Sequence, residues 1–405
     1  MSKGHIITGL DIGSGAIKIL SAIKKPKGEN FEVLSQNTEV SAGVRRGVVI
    51  DVAGVAGIIN SLIKKVQDDI GRKVNSVYAS VGGSHIFCAP SHGTVSVSRA
   101  DQKISEEDIA RVIQAAQTFS LPLNKEILDV FPKEFIIDGE KGVKEPLGLQ
   151  GVRLEVDALA LGAFSPYLKN LTQVILNSGL QINDLTFASI ASARAVLTPR
   201  EKELGVVLLD IGAGTTGMAV FEEGNLIHLI TFPIGSANIT NDIAICLKTD
   251  IDTAEKIKLE FGTCLPSPGK KRPAEKHIKI EGEEPLTFSR KVLVEIITAR
   301  VSEIFEEVNK ELKKISRKEL LPAGIVLTGG GSNILKIKDF CKKELKLPCR
   351  IGKPQGFSSL QDDPSLSTVC GLILKGADIE EGAEFSTPGE GIFGKFKKFF
   401  RIFIP

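Results

Sequence analysis

The strongest constraint on the fold of this chain is a short phrase that its sequence contains twice. Residues 10–19 read LDIGSGAIKI, and residues 208–220 read LLDIGAGTTGMAV. Each copy has an apolar run that ends in an acid, a turn of small residues, and then β-favouring residues again, which is typical of a β-hairpin. The repetition predicts two related halves, each built around such a hairpin.

Both turns combine an acid with glycines in a pattern that suits an anion. In the first turn Asp11 stands at the mouth, and Gly13 and Gly15 leave backbone N–H groups open to an anion. The second turn repeats the pattern with Asp210, Gly212, Gly214, Thr215 and Thr216. Either turn alone is also compatible with an ordinary glycine hairpin. The pair favours a polyphosphate held from both sides, with two carboxylates near a divalent metal.

Two commoner phosphate motifs do not fit this sequence. The P-loop pattern G-x-x-x-x-G-K-[ST] is missing, and a dinucleotide fingerprint needs G-x-G-x-x-G opening a helix. Here Lys18 occupies the place of the third glycine, and a strand is expected after the turn.

Composition limits the remaining classes. A chain of 405 residues, 42% hydrophobic and 25% charged, is long enough for two or more globular domains. The net charge of +2 predicts no nucleic-acid partner. Six cysteines without C-x-x-C spacing predict reduced thiols in a cytoplasmic protein, and five scattered histidines show no zinc pattern. We also expect neither a secretion signal nor a spanning helix.

The chain is organised as two α/β halves with extra material in each. The first half predicts a βββαβ unit with a helix in VAGIINSLIKKVQDDIG, and after the second hairpin this order recurs only loosely. An inserted α+β module begins near residue 85, and its helix carries a capping box at Ser105 and Asp108. Residues 236–300 form a second insert, with a Lys- and Pro-rich loop that is expected to be mobile.

Two further sequence features are candidates for a binding site. LTGGGSNI at residues 327–334 predicts a strand, a glycine turn that allows close approach of a ligand, and a helix opened by Ser332 and Asn333. The same turn also occurs in unrelated α/β proteins. Glu255 and Lys258 lie three residues apart on a predicted helix, where an exposed ion pair is the simpler interpretation.

These motifs together resemble the actin-like ATPase superfamily, and more narrowly the FtsA family of bacterial cell-division proteins. The segments that carry the resemblance are SVGGSHIFCAPSHGTVSVSR, ISEEDIARVIQAA and KELGVVLLDIGAGTTGMAVFEEGNLIHLITFPIGSANITNDIA. The resemblance implies an α/β, two-lobed, actin-like (ribonuclease H-like) fold with a small α+β module inserted in the first half. The resemblance implies a first nucleotide-binding subdomain of residues 1–84 and 166–197, with the inserted module at 85–165. The second nucleotide-binding subdomain would be residues 198–235 and 301–376, with an outer subdomain at 236–300. A linker at 377–390 and a terminal helix at 391–405 would follow.

The resemblance also implies ATP and Mg²⁺ as cofactors and assigns residues to them. Asp11 and Asp210 would form the catalytic pair, facing the metal through water, and Glu255 and Lys258 would line the ribose and adenine. The other implied cofactor-binding residues are Gly13, Ser14, Gly15, Lys18, Gly212, Gly214, Thr215, Thr216, Gly235, Gly329, Gly330, Ser332 and Asn333. Many hydrolysing relatives have Gln or Glu where this chain has Ala188 or Ser189, so we expect slow hydrolysis and a switching role for the nucleotide.

The implied partners are the C-terminal peptide of FtsZ, other copies of this chain in a polymer, anionic membrane lipids and other division proteins. The FtsZ peptide would bind the outer subdomain, where Arg290 and Arg300 flank a helix; alternatively, both arginines pair with nearby glutamates. The expected location is the cytoplasmic face of the inner membrane at the division site.

The last fifteen residues, GIFGKFKKFFRIFIP, predict an amphipathic helix on a membrane surface. Basic residues fill one face, and a core helix is the alternative. The implied lipid-contacting residues are Phe393, Phe396, Lys397, Phe399, Phe400 and Phe403. Two other functions stay open: a small-molecule kinase of the same fold, which would need an additional carboxylate base and no such tail, and a pilus-assembly relative that binds a membrane protein's peptide.

Overall fold

Each half of the protein begins with the hairpin that the repeated phrase predicts. In the computed structural model, which describes residues 5–24, 30–118, 122–265, 277–280 and 286–384, both hairpins have antiparallel strands. Gly13 N donates to Ala16 O over 3.1 Å, and Gly212 N donates to Thr215 O over 2.9 Å. The two turns are therefore closed by the same hydrogen bond.

The first lobe follows the predicted βββαβ order. Its elements are β1 (Ile6–Ile12), β2 (Ala16–Lys24), β3 (Phe31–Val40), the short strands β4 (Val44–Arg45) and β5 (Val48–Val49), α1 (Val52–Ile70) and β6 (Ser76–Val81). Helix α1 begins because Asp51 accepts a hydrogen bond from Gly54 N, and it ends at Gly71 in the left-handed conformation.

The inserted module is a four-stranded antiparallel sheet covered by one helix. Its elements are β7 (Phe87–Ser96), α2 (Glu106–Gln117), β8 (Lys125–Ile137), β9 (Glu140–Val143) and β10 (Arg153–Phe164), in sheet order β7-β10-β8-β9. The predicted capping box of Ser105 and Asp108 starts α2. A Cβ atom on Gly93 would lie 2.3 Å from Val112 O, so the helix packs directly on the sheet.

The chain then completes the first lobe and crosses to the second. The elements are α3 (Ser165–Asn177), β11 (Gln181–Phe187), α4 (Ala188–Val196), α5 (Pro199–Leu204), β12 (Val206–Ile211), β13 (Thr216–Glu222), β14 (Asn225–Phe232), α6 (Ser236–Leu247), α7 (Ile251–Phe261), β15 (His277–Ile280), β16 (Leu286–Ser289) and α8 (Arg290–Lys314). The predicted mobile loop falls largely in residues 266–276, outside the described residues.

The last elements close the second lobe and return to the first. They are β17 (Gly324–Thr328), α9 (Ile337–Leu345), β18 (Cys349–Ile351), β19 (Phe357–Ser358) and α10 (Ser367–Glu384). Helix α10 packs on α4, and a Cβ atom on Gly371 would lie 1.7 Å from Ala191 O. The two helices that connect the lobes are thus in direct backbone contact.

The two main sheets share a five-stranded topology, to which the first sheet adds the edge strand β19. In the first lobe the order is β11-β6-β1-β2-β3-β19, and in the second it is β14-β13-β12-β17-β18. In both, an antiparallel three-stranded meander is followed by two parallel strands. The order that the sequence repeats only loosely therefore recurs for five strands, with the short β18 in the place of β11, and β19 has no counterpart in the second sheet.

Two local predictions need correction. Residues 377–384, expected to belong to a linker, are part of α10, which continues to Glu384 and in which Ala377 is buried. Residues 385–390, the rest of the expected linker, lie outside the described part. The helix expected to open at Ser332 is a single 3-10 turn over Gly330–Asn333, and α9 starts only at Ile337. Between the two, Lys336 has a left-handed backbone conformation with a φ of 65°, which a continuous right-handed helix does not allow.

Candidate functional site

The two hairpin turns meet at a cavity of about 610 Å³ between the lobes. This volume lies in the range of pockets that hold small organic ligands. Besides the turns, the start of α4, helix α7 and the glycine turn after β17 line the cavity. The structure thus brings together segments that are far apart in the sequence, as the paired-turn hypothesis requires.

Fourteen of the residues predicted to bind nucleotide or metal line this cavity. They are Asp11, Gly13, Ser14, Gly15, Lys18, Asp210, Gly212, Gly214, Thr215, Glu255, Lys258, Gly329, Gly330 and Asn333.

Glycine is required by close packing at the tips of both turns. A Cβ atom on Gly15 would lie 2.6 Å from the Cβ of Ala213, and one on Gly214 would lie 2.8 Å from Ser14 Oγ. Since real Cβ atoms do not approach other atoms so closely, any side chain at these positions would push the turns apart. The cradle of exposed backbone that this leaves fits a polyphosphate.

The two carboxylates are held by hydroxyl groups. Ser80 Oγ donates to Asp11 Oδ1 over 2.7 Å. Asp210 Oδ2 accepts from Ser192 Oγ over 2.6 Å and from Thr368 Oγ1 over 3.3 Å. Burial raises the pKa of Asp210 and the neighbouring Asp11 adds to this rise, while the hydrogen bond from Ser192 opposes it. Both carboxylates therefore have defined orientations beside the turns.

Lys18 brings a positive charge to the same place. It pairs across the hairpin with Asp11 in the β1–β2 register. Its Nζ donates to Ser365 O over 2.5 Å, which ties the first hairpin to the segment before α10. A lysine at this position suits a phosphate oxygen.

Glu255 and Lys258 form an ion pair with each other, and both also line the cavity. Lys258 Nζ lies 2.6 Å from Glu255 Oε2 and donates to Thr240 Oγ1 over 2.9 Å. Thr240 in turn donates to Glu255 Oε2 over 2.5 Å. The Lys258 side chain is only 7% exposed, whereas that of Glu255 is 40% exposed, so the network extends from a buried lysine to a carboxylate that solvent reaches.

The glycine turn after β17 approaches the second hairpin closely. Gly329 has a φ of 78°, and a Cβ atom there would lie 2.3 Å from Asp210 Oδ1. Asn333 donates to Asp363 Oδ1 over 3.1 Å and so faces the segment before α10.

Three predicted cofactor-binding residues do not line the cavity. Thr216 is fully buried and donates to Ile234 O, and Ser332 is buried and donates to Gly329 O. Gly235 supports the second turn from behind, since a Cβ atom there would lie 2.5 Å from Ala213 O. These three residues therefore support the turns from behind and do not face the cavity.

Ala188 and Ser189 lie at the start of α4 and line the cavity, as the sequence led us to expect. A Cβ atom on Gly217 would lie 2.0 Å from Ser189 Oγ, which places this hydroxyl over the strand that follows the second turn. Neither residue carries an amide or a carboxylate that would orient a water molecule.

Sequence reasoning missed the hydroxyl residues that support the carboxylates, namely Ser80, Ser192 and Thr368. Serine and threonine are common, and the partners of these three are 69, 18 and 158 residues away in the sequence. Of the three, Ser80 could have been suspected from the sequence, because it lies near the end of a predicted strand, shortly before Gly82 and Gly83.

Arg290 and Arg300 do not flank a helix, because both lie within α8, where Arg290 is the first residue. Arg300 binds Asp242 through two nitrogens, with N–O distances of 2.7 and 2.9 Å, and also contacts Glu303 over 2.5 Å. The alternative in which Arg300 pairs with neighbouring acids on this chain therefore has direct geometric support.

The six predicted lipid-contacting residues, Phe393 to Phe403, lie outside the described residues. Within the described part of the chain, no helix is long and apolar enough to cross a membrane. Across the same residues, no group of three or more His, Cys, Asp or Glu side chains could hold a metal ion directly.

Family models match two segments of the chain. The model described as "Cell division protein FtsA" matches residues 207–371, and "SHS2 domain inserted in FTSA" matches residues 83–161. The second match coincides with the inserted module of β7 to β10 and α2.

Curated relatives match nearly the full length. The cell division protein FtsA of Pseudomonas aeruginosa is 34% identical over 396 residues, covering 96% of this chain and 94% of the relative. The FtsA proteins of Bacillus subtilis and Escherichia coli K12 are 31% and 30% identical, each over 92% of this chain and over 84% and 90% of their own lengths.

Solved structures with low sequence identity share the fold. A chain of the PilM-PilN type IV pilus biogenesis complex has a TM-score of 0.65 at 18% identity, covering 91% of this chain and 98% of its own. MreB5 of Spiroplasma citri bound to ADP has a TM-score of 0.57 at 14% identity, covering 94% and 99%. The predicted actin-like fold with an inserted module is confirmed.

Proposed function

Because the chain belongs to the FtsA family of cell division proteins, we propose that it binds ATP with Mg²⁺ between its lobes and uses the nucleotide to control its assembly on a membrane. The observation that carries the nucleotide site is the contact of two glycine turns, each with its own carboxylate, at one cavity. The MreB5 structure has the same fold and is bound to ADP, which supports a nucleotide as the ligand.

Each part of the cavity has a distinct role in this proposal. Lys18 and the backbone N–H groups at the turn tips would hold the phosphates. The N–H groups of Gly13 and Gly212 are not among them, contrary to the expectation for Gly13, because they close the two hairpins. The Glu255–Lys258–Thr240 network and the glycine turn at Gly329 would flank the ribose and the base. Because the glycines at the turn tips carry no side chains, the phosphates would meet rigid backbone there, which favours a defined binding geometry.

Asp11 and Asp210 would hold the metal through its water molecules, since their separate hydroxyl partners fix both carboxylates. Bound Mg²⁺ would offset the negative charge of the polyphosphate. Burial raises the pKa of Asp210, and a bound cation would favour the charged form of this carboxylate.

We propose that hydrolysis is slow and that the nucleotide acts as a switch. The residues at the start of α4, Ala188 and Ser189, lack the amide or carboxylate that orients water in many related enzymes. Asp11 and Asp210 would then contribute to hydrolysis only through the metal.

For partners, we propose the C-terminal peptide of FtsZ at the outer subdomain, other copies of this chain, other division proteins and anionic lipids. Arg290 is exposed at the start of α8 and available to an acidic peptide. Arg300 would have to break its hydrogen bonds to Asp242 before it could bind such a peptide. Residues 391–405 would anchor the protein on the cytoplasmic face of the membrane at the division site.

Electron microscopy of the full chain on anionic lipid monolayers tests this proposal. We expect filaments on the lipid with ATP and Mg²⁺, and recruitment of FtsZ filaments only when the protein is present. A protein that binds no ATP by calorimetry and forms the same assemblies without nucleotide would contradict the switch. A protein that assembles in solution but leaves the lipid bare would contradict the anchor.

A further inference from the structure

The small hairpin of β4 and β5 places Arg46 beside the glycine turns of both long hairpins, β1–β2 and β12–β13. Arg45 pairs with Val48, so Arg46 and Gly47 form a two-residue connection. Both have positive φ, 50° for Arg46 and 75° for Gly47. Two-residue hairpin turns of this kind favour Asn, Asp or Gly at the first position. In the left-handed conformation a Cβ atom lies too close to the following carbonyl oxygen; Gly has no Cβ atom, and Asn and Asp can hydrogen-bond locally.

This turn is tied to the candidate site on three sides. Gly47 N donates to Ser14 Oγ over 2.7 Å at the tip of the first turn. A Cβ atom on Gly214 would lie 3.3 Å from the Cα of Arg46, so the same turn touches the second phosphate turn. A Cβ atom on Gly47 would lie 2.4 Å from Gly83 N, so the loop after β6 closes the third side. The backbone of Arg46 is therefore fixed relative to both turns.

The charge of Arg46 is not paired with a carboxylate, in contrast to that of Lys258 in the cavity, which is paired with Glu255. Lys18 donates to the neutral carbonyl oxygen of Ser365 and keeps its charge, so Arg46 would add a second cation to the phosphate end of the site. Arg46 is exposed and has no ion pair within the described residues. A guanidinium group presents a fork of donors that matches phosphate oxygens, and its long side chain reaches over neighbouring backbone.

We propose that Arg46 contacts the terminal phosphates of a nucleotide held between the two turns. This inference rests on the proposed nucleotide site and adds a residue to it from outside the repeated phrase. Gly47 lines the cavity, and Arg46, which is not a lining residue, directly precedes it. In the contacts described above, this turn touches the site at the turn tips and at the loop after β6, so the long Arg46 side chain would reach the phosphate end of a ligand. A residue at the tips would sense the number of phosphates rather than the base.

Calorimetry with the full chain, ATP, ADP and AMP tests this assignment. We expect Arg46→Ala to weaken ATP binding about tenfold, ADP binding less and AMP binding hardly at all. Arg45→Ala removes the same charge from the neighbouring exposed position and should leave all three affinities unchanged. Arg46→Lys should restore part of the ATP affinity.

A second variant separates binding from folding. Arg46→Gly relaxes the positive φ, so its unfolding temperature should equal or exceed that of the wild type while its ATP affinity falls. Wild-type ATP affinity in Arg46→Ala and Arg46→Gly would overturn the inference while leaving the nucleotide site intact, as would an equal loss in Arg45→Ala. A wild-type protein that binds no ATP would overturn the proposed function and this inference with it.

Discussion

A Cβ atom on Gly214 would lie 2.8 Å from Ser14 Oγ, so the tips of the two hairpin turns are in contact. Gly214→Asp would force these tips apart and place a carboxylate where phosphate oxygens are expected. We predict that it lowers ATP affinity at least about a hundredfold in calorimetry. The control Gly57→Asp adds the same charge on α1, where a Cβ atom meets nothing within 4 Å. Unchanged affinity in a folded Gly214→Asp protein would refute the two-turn site.

The contact between the crossing helices predicts a large difference between two glycine substitutions. Gly371→Ala places a methyl group against Ala191 O and must separate α10 from α4, so we expect a loss of about 3 kcal/mol of unfolding free energy. Gly57→Ala, within α1 and in open space, should stabilise the protein by about 0.5–1 kcal/mol. Urea unfolding measures both. Similar values for the two variants would show that α10 and α4 are not packed as described.

His85 predicts a specific dependence of stability on pH. Neither ring nitrogen has a hydrogen-bond partner among the described residues, and the ring packs edge-on against Tyr167 with centroids 5.0 Å apart. Burial lowers the pKa of His85 from 6.5 to about 4. Between these values the unfolded chain binds a proton that the folded protein does not, so His85 reduces stability as the pH falls through this window.

The variant His85→Phe isolates this effect because it keeps an aromatic ring and removes the titration. Its urea midpoint should decline less than that of the wild type between pH 7 and pH 5. Parallel declines of the two proteins would show that His85 takes up its proton as readily when folded as when unfolded.

The terminal segment predicts a difference between apolar and basic substitutions. Phe396→Glu with Phe400→Glu should release the protein from anionic vesicles in sedimentation, since each places a charge where acyl chain is expected. Lys397→Gln with Lys398→Gln should weaken binding less, and mainly at low salt, because screening already reduces the electrostatic attraction. A double Phe variant that still pellets with lipid would exclude residues 391–405 as the anchor.

The local features of this protein were predictable from its sequence. The hairpins, the cap of α2 by Ser105 and Asp108, and the glycines of both turns depend on residues within a few positions of one another. Such interactions leave a pattern that can be recognised in a single segment. The repetition of one pattern also predicted the two halves and the meeting of the two turns, which the structure places at one cavity.

Only the tertiary structure decided which side chains complete the site. Ser80, Ser192 and Thr368 orient the two carboxylates, and the β4–β5 turn brings Arg46 to Gly214, although none of these residues stands out in the sequence. The repeated phrase determined where the backbone could bind an anion, because backbone geometry at glycine turns is set locally. The charges and hydroxyl groups around it come from distant segments, whose approach depends on the packing of sheets and helices across the whole chain.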